Sequence, residues 1–143
     1  MNVNSLARTI KLLDLDYFIK KPDTLVVDNL NVNAKLLAIS PKSVTIEAEE
    51  QMLHGMLNVL ELEDTELSIA INKQHDISTD FLQEIEKITK IISPKKILYF
   101  YDTEQRPLNY ENIVYVPHPK LIKEIPNLKR QAYSILLDLA KEL

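Results

Sequence analysis

Short apolar runs alternate with segments of helical period along this chain, and that alternation restricts its possible folds more than any other feature. Ala34-Lys-Leu-Leu-Ala-Ile-Ser40, Leu67-Ser-Ile-Ala-Ile71, Lys96-Ile-Leu-Tyr-Phe-Tyr101 and Ile113-Val-Tyr-Val116 read as strands. The first is mostly apolar, as expected of a strand covered on both faces. Leu53, Met56, Leu57 and Leu60 repeat at helical spacing within residues 46–61. Phe81, Ile85, Ile88 and Ile92 form a second stripe behind Ser78 or Thr79, either of which can cap a helix. A third stripe, Leu128, Ala132, Ile135, Leu136 and Leu139, fills residues 126–142. Pro41 stops the first strand and Pro94 the second helix. Strands alternating with helices build βαβ units, so residues 34–143 are expected to form a three-layer α/β/α body around a four-stranded, mainly parallel sheet. In the third strand, alternation sends Tyr99 and Tyr101 to the face opposite Phe100.

The first third of the chain is organised differently. Residues 5–15 show a helical stripe of Leu6, Ile10 and Leu13, widened by Leu12, and a dense apolar cluster of Leu15, Tyr17, Phe18 and Ile19 follows. Lys20-Lys21-Pro22 ends the unit, because a proline biases the residue before it away from helix. Residues 23–33 are polar apart from Leu25-Val-Val, a candidate short edge strand, and read as a hinge. Residues 1–22 thus read as an N-terminal extension whose apolar cluster, Leu12 to Ile19, is too short to hold an isolated helix in water. Such a segment either packs on its own body or folds into the groove of a partner.

Composition removes whole classes of chemistry. The 143 residues include one glycine, Gly55, inside a helical pattern. P-loops, dinucleotide fingerprints and nucleophile elbows need glycine where backbone approaches phosphate or takes positive φ, so none is present. There is no cysteine, which excludes disulfides, thiolate metal sites and cysteine nucleophiles. No two histidines stand at metal-ligand spacing with a carboxylate, and no metal or cofactor is expected. A net charge of −4 argues against wrapping duplex DNA, which rewards a basic surface. No apolar run is long enough to cross a membrane and the N-terminus does not read as a secretory signal, so a cytoplasmic location is expected.

The most chemically suggestive stretch runs from Val116 through His118, flanked by Pro117 and Pro119, to Lys129-Arg130 and Leu139. It reads as a strand exit, a His-Pro turn, a proline-started helix and an amphipathic last helix. His118 is either a catalytic group or a turn histidine; Lys129 and Arg130 either meet phosphate or are solvated surface. His54 is expected off the core stripe, and Glu47, Glu49 and Glu50 are expected to be helix-end surface charge.

That stretch resembles the C-terminal signature of the uracil-DNA glycosylase superfamily, in which a His-Pro follows the last strand and a Pro-x-x-Lys-Arg run opens the final helix. Residues 92–99, Ile-Ser-Pro-Lys-Lys-Ile-Leu-Tyr, are similar to the same superfamily's helix, Pro-Lys and strand element. The resemblance implies a glycosylase-like fold. It does not extend to the chemistry: where the superfamily carries a glycine-rich, water-activating loop, this chain has Ser40-Pro41-Lys42-Ser43. His118, Pro119, Lys129 and Arg130 are then a retained motif without a reaction.

The chain also resembles the psi subunits of bacterial DNA polymerase III, which set an N-terminal extension on a glycosylase-like body. The likeness lies in Leu12-Leu13-Asp-Leu15-Asp-Tyr17-Phe18-Ile19-Lys20-Lys21-Pro22, with Tyr17 where the family usually has tryptophan, and in the strand Ala34 to Ile39. It implies a non-catalytic adaptor. The extension, through Leu12, Leu13, Leu15, Tyr17, Phe18, Ile19, Lys20 and Lys21, would dock on a clamp-loader ATPase subunit (tau/gamma). The body would bind the chi subunit, and through it single-strand-binding protein. A divergent glycosylase-like or other nucleic-acid-processing enzyme is the alternative.

Overall fold

A computed structural model describes residues 25–28, 31–42, 44, 46–73 and 77–143. Its strands are β1 (Leu25–Asp28), β2 (Leu36–Ser40), β3 (Leu67–Asn72), β4 (Lys96–Tyr101) and β5 (Ile113–Pro117). Its helices are α1 (Glu47–Asn58), α2 (Thr79–Ile92), α3 (Pro119–Glu124) and α4 (Leu128–Glu142), with a 3-10 turn at Asp64–Glu66. The strands form one sheet in the order β1-β3-β2-β4-β5. Strands β3, β2, β4 and β5 are parallel, with Ala38 of β2 between Ile69 and Leu98.

The α/β class is as expected, but the sheet is not the four-stranded one. A fifth strand, β1, pairs antiparallel with β3, from Leu25 opposite Asn72 to Asp28 opposite Ile69. Three apolar residues in a polar stretch carry little local signal; the ladder and the burial of Leu25 make the strand. Residues 31–33, within the stretch read as a hinge, are anchored too. The Asn31 amide donates to Ser68 Oγ at 2.8 Å, and Val32 packs on Ile91. The apolar and basic cluster of the extension, Leu12, Leu13, Leu15, Tyr17, Phe18, Ile19, Lys20 and Lys21, lies outside the described residues, as do Ser43 and His75.

Helices cover both faces. On one, Leu53, Met56 and Leu57 of α1, Ile122 of α3, and Ala132, Leu136 and Leu139 of α4 pack on Leu36, Ala38, Leu98, Phe100 and Val116. On the other, Phe81, Ile85, Ile88 and Ile92 of α2 pack on Leu37, Ile39, Ile97 and Tyr99. Tyr99 and Phe100 therefore point to opposite faces, as the alternation requires. Strand β2, central and covered twice, is buried at every position. Helix α2 alone does not cover its whole face; Leu108 from the loop after β4 completes the layer, held where the Tyr115 hydroxyl donates to its carbonyl at 2.7 Å.

Candidate functional site

In an open α/β sheet the place to look for a ligand is where the chain reverses direction along the strand order, beyond the carboxyl ends of the strands. Here the connection from β2 leads to β3 on one side, and β4 lies on the other. The switch point is thus between β2 and β4, and the residues just past it are Ser40, Lys42 and Asp102. Strand β5 adds His118. The His118 amide donates to the Tyr101 carbonyl at 2.8 Å, which ties the ends of β4 and β5. Residues 78 positions apart, Ser40 and His118, are brought to 3.0 Å.

The protons in this cluster can be placed. His118 is the N-cap of α3, and its Nδ1 accepts from the Lys120 amide at 3.0 Å. An accepting Nδ1 puts the ring proton of a neutral imidazole on Nε2. Nε2–H therefore donates to Ser40 Oγ, and the Ser40 hydroxyl donates onward to the Lys42 carbonyl at 2.6 Å. Each N–H and O–H donor of this network has an acceptor, and the network ends on backbone. His118 has no exposed surface and Ser40 has 1%. Burial pushes the imidazole down to about 4; the Asp102 carboxylate opposes this, and Lys42 and Lys120 add to it.

A serine beside a histidine suggests nucleophilic catalysis, but the roles here run the other way. A general base needs a free nitrogen facing the hydroxyl and a pKa near the working pH. His118 offers Ser40 a proton, not a lone pair, and its pKa lies well below neutrality. The pair works as a clasp between β2, β5 and the start of α3. Beside it, Lys42 Nζ meets Asp102 Oδ2 at 2.9 Å, with the Asp102 side chain only 9% exposed. That hydrogen bond holds the Lys42 ammonium above its usual value. Across the sheet, the Tyr99 hydroxyl is buried with no hydrogen-bond partner among the described residues, and burial pushes its pKa up.

No protein-family model matches the chain, and no curated protein matches it in sequence. Geometry and the motifs themselves carry the functional reading.

The other sequence candidates are dispersed. Pro119 is buried at the first position of α3, where the absent amide proton costs nothing. Lys129 and Arg130 are exposed in the first turn of α4. His54 is exposed on α1, off the core stripe. Glu49 corrects one expectation: it is buried, 6% exposed, within the first turn of α1, where the helix dipole favours a carboxylate. Ser40 and Asp102 were the partners sequence reasoning did not assign to His118 and Lys42. The strand order, had it been known, would have pointed to both. Among the described residues no group of three His, Cys, Asp or Glu could hold a metal ion, and no helix is long and apolar enough to cross a membrane.

Proposed function

We propose that this chain is a non-catalytic adaptor of the bacterial replisome, a psi-like subunit linking the DNA polymerase III clamp loader to chi and thereby to single-strand-binding protein. The observation that carries the reading is the closed network Lys120 N–H to His118 to Ser40 to the Lys42 carbonyl. It spends the one motif histidine on joining strand ends, which suits a frame kept for its surfaces. The α/β body and its motifs support the same reading by resemblance: the strand at Ala34 to Ile39, the His118-Pro119 turn, and Lys129-Arg130 opening the last helix. In this reading residues 1–22 contact the clamp-loader ATPase subunit and the body contacts chi.

The test is capture of tagged protein at moderate salt, followed by titration against purified clamp-loader and chi subunits. Binding to both through separable surfaces is the expected result; failure to bind either sinks the proposal. The glycosylase-like alternative has its own readout. Purified protein is expected to leave a uracil-containing oligonucleotide intact, single- or double-stranded. Excision that vanishes in His118→Ala would replace the adaptor reading with an enzymatic one.

A further inference from the structure

The outward stripe of α4 is not that of a merely solvated helix. Arg130, Ser134 and Leu137 follow one another at helical spacing on the side away from the core residues Ala132, Leu136 and Leu139, flanked by the half-buried Tyr133, which packs on that core. Together with Pro126 and Lys129 they line an open concavity of about 870 Å³. Leu137 is 55% exposed, and Ile125, beside the Pro126 wall, 48%; these are two of four large apolar side chains so exposed among the described residues. Lys35, Lys42, Lys90 and Lys96 each have a carboxylate partner. Lys129 and Arg130 form no ion pair among the described residues, and the first turn of α4 contains no acid.

We propose that this groove docks an acidic peptide segment of a partner protein, its carboxylates on Lys129 and Arg130 and an apolar side chain against Tyr133 and Leu137. Charge complementarity selects the occupant. The protein as a whole is acidic, at −4, so two exposed cations with no ion pair among the described residues, beside exposed apolar surface, form a basic spot suited to an acidic partner. Arg130 and Leu137 are seven residues apart, roughly 10 Å along a helix, which an extended peptide covers in about three residues. A second copy seated by two-fold symmetry would present the same patch to itself, with no acid in the first turn of α4 to meet the cations. Two cations are also few for a nucleic-acid strand, which is held by many phosphate contacts. The inference stands on the groove and not on the replisome reading, so either can fail alone.

Fluorescence anisotropy of the full chain with labelled Glu-Glu-Ser-Ser-Phe-Leu tests it, with Glu-Glu-Ser-Ser-Ser-Ser and a ten-nucleotide oligothymidylate as controls. The first peptide is expected to bind saturably and more weakly as salt rises. The double variant Lys129→Glu, Arg130→Glu should lose at least tenfold in affinity. Leu137→Ser should lose at least threefold; all these positions are exposed, so thermal midpoints should hold. Four outcomes overturn the proposal: equal binding of the peptide without apolar residues, tighter binding of oligothymidylate with the same charge dependence, a dimer mass in solution without peptide, or variants that bind like the parent.

Discussion

His118 is neutral by design of its surroundings, and that has a consequence for stability. Its unfolded value is near 6.5 and its folded value about 4. The folded chain therefore binds fewer protons than the unfolded chain between those values. The stabilisation is complete above about pH 6.5 and is lost as pH falls through the folded pKa, by roughly 3 kcal/mol in all. Asparagine at this position keeps an acceptor for the Lys120 amide but cannot titrate. His118→Asn should cost about 1–3 kcal/mol at pH 7 through the lost Ser40 bond. Its urea-unfolding stability should then fall less than the parent's between pH 6.5 and pH 4; parallel curves would show that the histidine is not the source of the slope. The lone glycine sits elsewhere. Among the described residues, a methyl group built on Gly55 would meet only Tyr133 Oη, at 4.0 Å. No φ there demands glycine, because the positive-φ positions among the described residues are Glu61 and Ser93. Gly55→Ala should raise stability by about 0.5–1 kcal/mol, read as a higher midpoint in urea. The chain's turns thus run without glycine, as its composition required, but Glu61 and Ser93 were not legible as the residues taking left-handed backbone. Nor was the Ser40–His118 clasp, since no local pattern joins residues 78 apart.

Each element forms for reasons that differ in how far they reach along the chain, and this decides what the sequence could reveal. Helix α2 is the clearest case. Its stripe of Phe81, Ile85, Ile88 and Ile92 is buried as the period demands, the Ser78 hydroxyl accepts from the Phe81 amide at 3.1 Å, and Pro94 lies just past its end. Period, cap and stop are all local, so all were readable. Ser78→Ala should cost about 1 kcal/mol by removing the cap. Ser93, the left-handed residue closing the same helix at φ 50°, carries a strain that glycine would relieve. Ser93→Gly should therefore stabilise by about 0.5–1 kcal/mol. Thermal unfolding of the two variants should move in opposite directions, and a common direction would mean the caps do not limit this helix. Strand β1 is the contrary case. Leu25-Val-Val has neither length nor clear alternation, and its antiparallel place beside β3 is fixed by residues some forty positions later. A sheet read only from its strong runs accordingly comes out one strand short and without its antiparallel edge.

At the scale of the whole molecule, the body spends its one motif histidine internally, while its surfaces keep uncovered apolar groups: Val26 and Ile46, besides Ile125 and Leu137. In the adaptor reading the contacts divide between two parts of the chain, and a single residue should separate them. In that reading Tyr17 takes the place of the psi family's usual tryptophan within the extension's apolar cluster, and aromatic residues dominate interface hot spots. Tyr17→Ala should weaken clamp-loader binding by about 2 kcal/mol, roughly a thirtyfold rise in Kd, seen by titration calorimetry. Binding to chi should be unchanged, since in this reading the body and not the extension contacts chi. The thermal midpoint of the isolated protein should also hold. A variant that lowers that midpoint and still binds the clamp loader would assign Tyr17 to the body's own packing and leave the extension without a docking role.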